Sequence, residues 1–401
     1  MIDGEENYVW ARDRCAIAGI GSTEFSRDSG RSVLSLATEA SLAALEDAGL
    51  EPADVDGIVR CDHDHVAHND VAASLGIPNL TYWGQTGPGG GAPCAMVGQA
   101  VAAILAGLAT TVLLYRSLNG RSESRFGQGQ HMTRGAQVVG GLGTYDEFFL
   151  PFGLITAGQT FALMAQRHMI QYGTTSEQLG HIALACRDHA HANPRAQMRD
   201  KPMTMDDYLS ARMISTPLRL FDYCLETDGA SAVVITSTER ARDLRRKPVL
   251  IRAQAGGCAP DTRPGMMFPV VMREDVTDLP ARSAATSLWK KAGLGPEDVD
   301  VAQIYDCFTI SVLLQLEAFG FCARGEGGPF AASGALRPDG RLPINTGGGH
   351  LSEGYIHGMN HIVEAVRQMR GESTGQVPDA ETCLVTGGPL PTGTCVLLRR
   401  A

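Results

Sequence analysis

The chain has 401 residues, 44% hydrophobic and 19% charged, which is ordinary for a globular protein and enough for one large unit or two fused halves. A formal net charge of −10 argues against broad nucleic-acid binding, and no apolar run reaches the length of a membrane span. The acidic start M-I-D-G-E-E-N-Y-V-W shows no secretory pattern and the ten cysteines form no C-x-x-C pair, so a cytoplasmic protein with reduced, mostly buried thiols is expected.

The first predicted strand is C-A-I-A-G-I-G (15–21). It leads to the helix V-L-S-L-A-T-E-A-S-L-A-A-L-E-D, apolar at helical spacing, then to the turn A-G-L-E-P-A-D-V-D (48–56) and a short strand G-I-V-R. The segment C-D-H-D-H-V-A-H-N-D (61–70) holds zinc-ligand types, but surface loops often carry such residues and no metal is expected. The run Gly87-Pro88-Gly89-Gly90-Gly91 lacks the context of a dinucleotide-binding loop. A helix over 97–107 and the strand T-V-L-L-Y (111–115) follow. Residues 116–160 and 187–220 are richer in Gly, Arg and polar residues and read as a loop insertion over about 116–220, interrupted by helices at 158–172 and 176–192. The strand A-V-V-I-T (232–236) closes this part, and E-R-A-R-D-L-R-R-K-P (239–248) reads as a solvated helix face and turn.

The strand V-L-I-R-A-Q (249–254) begins a second series: the helix R-S-A-A-T-S-L-W-K-K, the turn A-G-L-G-P-E-D-V-D (292–300), the strand V-A-Q-I-Y, a helix over 353–369 and the strand T-C-V-L-L (394–398). The two turns match at seven of nine positions, 244 residues apart, with the same kinds of element on either side. Two similar α/β halves are therefore expected, 1–245 with the insertion and 246–401.

Three motifs fall in order along these halves: F-D-Y-C-L-E-T-D-G-A-S-A-V-V-I-T (221–236), I-Y-D-C-F (304–308) and N-T-G-G-G-H-L-S-E-G-Y-I-H-G (345–358). They resemble, respectively, the D-G-A-A-A segment, the N-E-A-F motif and the N-x-x-G-G-A-x-A-x-G-H-P-x-G loop of the thiolase superfamily, and the resemblance covers nearly the whole chain. It implies an α/β thiolase fold of duplicated βαβαβαββ halves in five layers, α-β-α-β-α, with a loop insertion.

The acyl-transfer residues of a thiolase are missing. The nucleophile position falls on Gly90, with Cys94 one helical turn further on. Tyr355 replaces the G-H-P histidine, Tyr305 replaces the N-E-A-F asparagine, and the second cysteine falls on Thr386 or Gly387. With Y-R-S-L-N-G-R-S-E-S-R-F-G-Q (115–128) and G-R-L-P-I-N-T (340–346), this pattern resembles the steroid side-chain-cleaving aldolases, a family that carries the name lipid-transfer protein.

The resemblance implies retro-aldol cleavage of a steroid β-hydroxyacyl-CoA to a 17-keto steroid and propionyl-CoA, with no cofactor beyond the coenzyme A of the substrate. It also implies a homodimer bound to a small zinc-ribbon/OB-fold partner, giving a heterotetramer. Such a reaction needs a base for the hydroxyl proton, a donor for the thioester enolate and an acid for its carbon. Tyr305 and Tyr355 are the expected acid/base pair, and His350, His357 and Asp306 the supporting residues. Gly348, Gly349 and Gly90 would let backbone approach the ligand, and Arg116, Arg121 and Arg125 (with Arg134 nearby) would meet the phosphates of coenzyme A. The alternatives are a thiolase-fold protein that binds sterol or acyl-CoA without turnover, and an acyltransferase using Cys94 or Cys307.

Overall fold

The computed structural model describes residues 11–87, 89–123, 125, 145–259, 261, 263 and 268–401. Its first half builds on strands β1 (Cys15–Ser22), β2 (Gly57–Cys61), β3 (Tyr82–Thr86), β4 (Thr111–Asn119) and β5 (Asp228–Ser237), with helices α1 (Val33–Ala48) and α2 (Ala92–Leu105) between the first four. Helices α3 (Ala157–Tyr172) and α4 (Ser176–Ala192) lie between β4 and β5. The second half contains β6 (Val249–Cys258), α5 (Ala281–Ala292), β7 (Val301–Gln303), α6 (Thr309–Ala318), α7 (Met359–Arg370), β8 (Thr382–Thr386) and β9 (Thr392–Arg400).

The strands form one mixed sheet in the order β3-β2-β4-β5-β1-β6-β9-β8-β7. In the first half β2 runs parallel to β3 and β4, whereas β5 is antiparallel to both β4 and β1. The second half repeats that pattern: β7 is parallel to β8 and to a bridge at Ile344, and β9 is antiparallel to both β8 and β6. The short antiparallel contact of β1 with β6 joins the halves.

Three apolar cores fill the spaces between layers. Helix α1 caps the outer face of the first half through Leu36, Ala37, Ala40, Ala44 and Leu45. Helices α2 and α7 lie between the halves, where Met96, Val97, Ile362, Val363 and Val366 pack with residues of both. Helices α5 and α6 pack into the core of the other outer layer. This is the mixed α/β thiolase architecture, and the alternating parallel and antiparallel strands need helices on both faces to bury their apolar sides.

Two segments differ from the sequence expectation in ways that matter for the site. The helix expected over 353–369 begins only at Met359, because His357 and Gly358 take φ angles of 53° and 94°, which no α-helix accommodates. Residues 353–358 are thus a loop beneath the helix. The strand at 111–115 extends to Asn119, so Arg116 lies in the sheet rather than in a loop. Among the described residues no helix is long and apolar enough to cross a membrane.

Candidate active site

Tyr305 lies two residues beyond the end of β7, where the chain leaves the sheet. Its backbone is clamped from three directions. The N–H donates to Thr386 Oγ1 at 2.9 Å, and the carbonyl accepts from Gln315 Nε2 at 2.8 Å and Ser311 Oγ at 3.0 Å. Thr386 Oγ1 in turn donates to Gln315 Oε1 at 2.7 Å. Thr386, one of the two positions at which the second thiolase cysteine is expected, therefore serves here to fix a tyrosine. Sequence reading noticed Thr386 only as one of two candidates, with Gly387, for a lost cysteine and overlooked Gln315, which carries no motif.

Tyr355 comes from the loop under α7, its N–H donating to Thr227 Oγ1 at 2.9 Å. The two phenol oxygens lie 2.8 Å apart, with the rings inclined at 73°, and the side chains are nearly buried, at 3% and 8% exposure. Burial first, then the neighbouring Tyr355, lifts Tyr305 well above the ordinary phenol value. Burial, then the nearby Cys224 and Cys307, does the same for Tyr355. Both are therefore protonated at neutral pH and can donate. In a hydroxyl pair one proton lies between the oxygens, and the accepting hydroxyl keeps its own proton for another partner.

Gly90 explains why the pair fits. A Cβ built there would lie 2.2 Å from Tyr305 Oη, so the phenol occupies the space into which a side chain would project. Of the other glycines, Gly349 (φ 62°) leaves room for Asp306, to whose Oδ2 a Cβ would approach within 2.3 Å. Gly348 lies against Ala190.

Asp306 points away from the hydroxyl pair. It accepts from the backbone N–H groups of His350 (2.9 Å) and Leu351 (3.1 Å) and from His361 Nε2 (3.0 Å). Burial opposes its charge, but His350 and His361 outweigh burial and bring the carboxyl down to about 2. All of these contacts anchor the loop that carries Tyr355, so this carboxylate is committed to structure rather than poised as a base. Asp306→Asn turns an amide donor toward N–H groups and is expected to lower stability by about 3 kcal/mol in urea unfolding at pH 7. Because the folded pKa is depressed, the stabilisation is complete above the unfolded value of about 3.9 and is lost as pH falls through the folded value. The gap between parent and variant should therefore shrink on acidification; a gap independent of pH, or no gap, would refute this account.

His350 is fully buried, with its ring centroid 4.7 Å from that of Tyr305 and 4.8 Å from that of Tyr355, both near edge-on. Burial and the neighbouring His361 lower its pKa well below the usual imidazole value, so it wedges the tyrosines as a neutral ring. His357 lies 5.1 Å from the Tyr355 ring and accepts at Nδ1 from Arg116 Nη2 at 2.9 Å.

Of the arginines expected at the phosphates, Arg116 turns inward. Arg116 is only 2% exposed and bonds Asp64, Ser117 O and His357, which removes it from a coenzyme A entry and sets it behind Tyr355. Arg125 is partly exposed and paired with Glu226 at 2.6 Å. Arg121 is partly exposed, its backbone N–H donating to Asp228. Arg134 lies outside the described residues. The beginning of the His-rich segment also reaches the site: Asp62 Oδ1 accepts from Gly89 N at 3.2 Å, and the His63 ring is 6.1 Å from that of His357. Its His68 instead stacks on Trp83.

Neither candidate nucleophilic thiol is activated. Cys94 is buried in α2 between the halves, and Cys307 donates to Ser311 Oγ. Burial pushes both thiols up to about 12, so neither is a thiolate at neutral pH. Cys94→Ala is expected to keep turnover within about threefold, because no covalent step depends on it; an acyl-enzyme trapped on Cys94 by mass spectrometry would refute this.

A thiolase C-terminal domain-like family model matches residues 268–400. The chain is 46% identical to a 17-hydroxy-3-oxo-4-pregnene-20-carboxyl-CoA lyase of Mycobacterium tuberculosis, over 96% of this chain and 99% of that protein. It is 47% identical to a steroid side-chain-cleaving aldolase of Thermomonospora curvata, over 95% and 97%. Among solved structures, an Ltp2-ChsH2(DUF35) aldolase superposes with a TM-score of 0.90 at 44% identity, covering 97% of this chain and 98% of that one. Human mitochondrial 3-ketoacyl-CoA thiolase, at 15% identity and TM-score 0.68 over 98% and 100% of the two chains, shares the fold alone. The paired tyrosines, the emptied nucleophile position and these full-length relationships lead to one conclusion: the chain belongs to the thiolase superfamily, in the family of the steroid side-chain-cleaving aldolases.

Proposed function

We propose that this protein cleaves the side chain of a 17-hydroxy steroid acyl-CoA by a retro-aldol reaction, yielding a 17-keto steroid and propionyl-CoA. The observation that carries this reading is the buried contact of Tyr305 and Tyr355 at 2.8 Å, over a glycine where a thiolase nucleophile would stand. The proton leaves the tertiary hydroxyl for one phenol oxygen. The carbon–oxygen bond becomes a carbonyl as the adjacent carbon–carbon bond breaks, and its electron pair passes to the α-carbon of the thioester as an enolate. That phenol's own proton moves to its partner, and the partner's proton goes to the α-carbon. The sum leaves both tyrosines neutral, which suits two phenols whose ionisation is disfavoured by burial. Donors already in place for the enolate oxygen lower the barrier without reorganisation.

A relay of this kind needs no cysteine nucleophile, and coenzyme A enters as part of the substrate. Gly90 makes room for the Tyr305 phenol and Gly349 for Asp306, and Arg121 and Arg125 are the arginines of the expected set that could still meet coenzyme A at the surface. The DUF35 component named with the structural relative supports a partner protein; in this proposal the partner is a small zinc-ribbon/OB-fold protein, and two copies of this chain with two of the partner form a cytoplasmic heterotetramer.

The test is to incubate the purified protein, with and without its partner, with a 17-hydroxy steroid acyl-CoA and to follow ketone and propionyl-CoA by mass spectrometry. Stoichiometric appearance of both supports the reading. Absence of both, with and without partner, defeats it.

A further inference from the structure

A buried ion pair stands behind Tyr355 and takes no direct part in the proton relay. Arg116 Nη1 lies 2.5 Å from Asp64 Oδ1, and that carboxyl also accepts from the N–H groups of Ser117 (3.1 Å) and Cys61 (3.0 Å). Burial raises the Asp64 carboxyl and Arg116 with the two N–H groups opposes that rise; because all three partners are donors, a proton on Asp64 would find no acceptor, and the geometry fits the carboxylate. The two remaining edges of the guanidinium converge on one atom: Nη2 and Nε lie 2.9 and 3.2 Å from His357 Nδ1. Arginine has no acceptor, so Nδ1 must be the bare nitrogen and the ring proton must sit on Nε2. His357 is also held at φ 53°, a conformation uncommon for a residue with a Cβ, and its ring faces Tyr355. Charge is expensive to bury, and a hydrophobic pair would fill this volume more cheaply.

We propose that Arg116 is a positioning residue of this reaction: it fixes His357 as the Nε2–H tautomer beside Tyr355, and its charge, retained by Asp64, steadies the partial negative charge that develops on Tyr355 as its proton goes to the α-carbon and is replaced by that of Tyr305. The inference rests on the retro-aldol reading. Among the described residues, the other groups facing this place include Tyr305 and His350 on the Tyr355 side, the thiols of Cys224 and Cys307, His63 with Asp62 beside His357, and the Cys61 thiol and Tyr115 phenol beside the Arg116–Asp64 pair. Burial and these thiols raise the Tyr355 pKa, whereas Tyr305 and Arg116 lower it.

The experiment measures kcat, KM and the pH profile of kcat for Arg116→Met, Arg116→Lys and His357→Asn, in the complete enzyme with its partner. Asparagine tolerates positive φ and keeps an acceptor for Arg116, so His357→Asn tests the position even where Arg116→Met does not fold. Arg116→Met should lose kcat by about 10–100-fold, as outer partners of reactive groups do, with KM little changed and the descending limb of kcat moved to higher pH. Lysine should restore part of the loss, and His357→Asn should lower kcat at constant KM. In a Tyr355→Phe background Arg116→Met should cost little more, because it acts through the missing hydroxyl. The proposal is overturned by a folded Arg116→Met or a His357→Asn with unchanged kcat and pH profile, by a loss confined to KM, or by an equal loss in the Tyr355→Phe background. A parent enzyme that does not cleave the steroid thioester overturns the retro-aldol reading as well; an active parent with indifferent Arg116 and His357 overturns only the positioning role.

Discussion

Tyr305→Phe and Tyr355→Phe are each expected to lower kcat by about 10²–10³-fold with the fold intact. The hydroxyls lie in a small buried contact, and phenylalanine keeps the ring surfaces that pack around His350. Stability should therefore change little, and circular dichroism with thermal melting provides the control. KM should shift far less than kcat, because the lost interaction strengthens as charge develops on the enolate. The double variant should be only slightly worse than either single one, since the two oxygens act as one relay and removing either breaks it. Near-parental turnover in either single variant would refute the assigned roles. Two independent, multiplying losses would argue for tyrosines that act separately.

Gly90→Ala should be almost as damaging for a different reason. The new Cβ falls 2.2 Å from Tyr305 Oη and 2.4 Å from its Cζ, so the ring must leave its place or the loop must shift. Neither can move freely: the backbone of Tyr305 is clamped by Thr386 and Gln315, and Gly90 O accepts from Gly388 N at 2.7 Å. Overpacking of this kind costs about 1–3 kcal/mol, and displacement of the phenol by about 1 Å suffices for a loss of about 10² in turnover. Phenylalanine at 305 should not relieve the strain, because Cζ remains in the way. Alanine at 305 should relieve it, giving a coupling of about 0.5–3 kcal/mol in a stability double-mutant cycle. Additive effects of Gly90→Ala and Tyr305→Ala would show that the two do not compete for one space. The same geometry predicts that Gly90→Cys fails to create a thiolase, since its thiol would contend with the phenol.

Much of the architecture was legible because it repeats. The A-G-L turn is a helix stop followed by a strand in both halves, and local signals of this kind need no distant partner. The motif positions of Tyr305 and Tyr355 were equally legible, since each lies at a fixed offset from glycines and apolar residues that mark its element. The start of α7 was not. Helical periodicity runs through 353–369, but positive φ angles at His357 and Gly358 delay the helix to Met359. Those angles are imposed by packing in the site, with Arg116 on one side of His357 and the Tyr305 ring close to Gly358.

The sequence by itself determined the duplicated α/β order, the absence of a thiolase nucleophile and the presence of two tyrosines in its place. Only the tertiary structure decided that the phenols meet, that Asp306 accepts from the loop that carries Tyr355, and that Arg116 turns inward. The physical reason is that the direction and burial of a polar side chain depend on partners remote in sequence. Tyr305 and Tyr355 are 50 residues apart, and Arg116 finds Asp64 across 52 residues and His357 across 241. An arginine read along the chain looks like a surface cation for a phosphate. Brought against a buried carboxylate and an imidazole, it becomes a fixed internal charge beside a tyrosine.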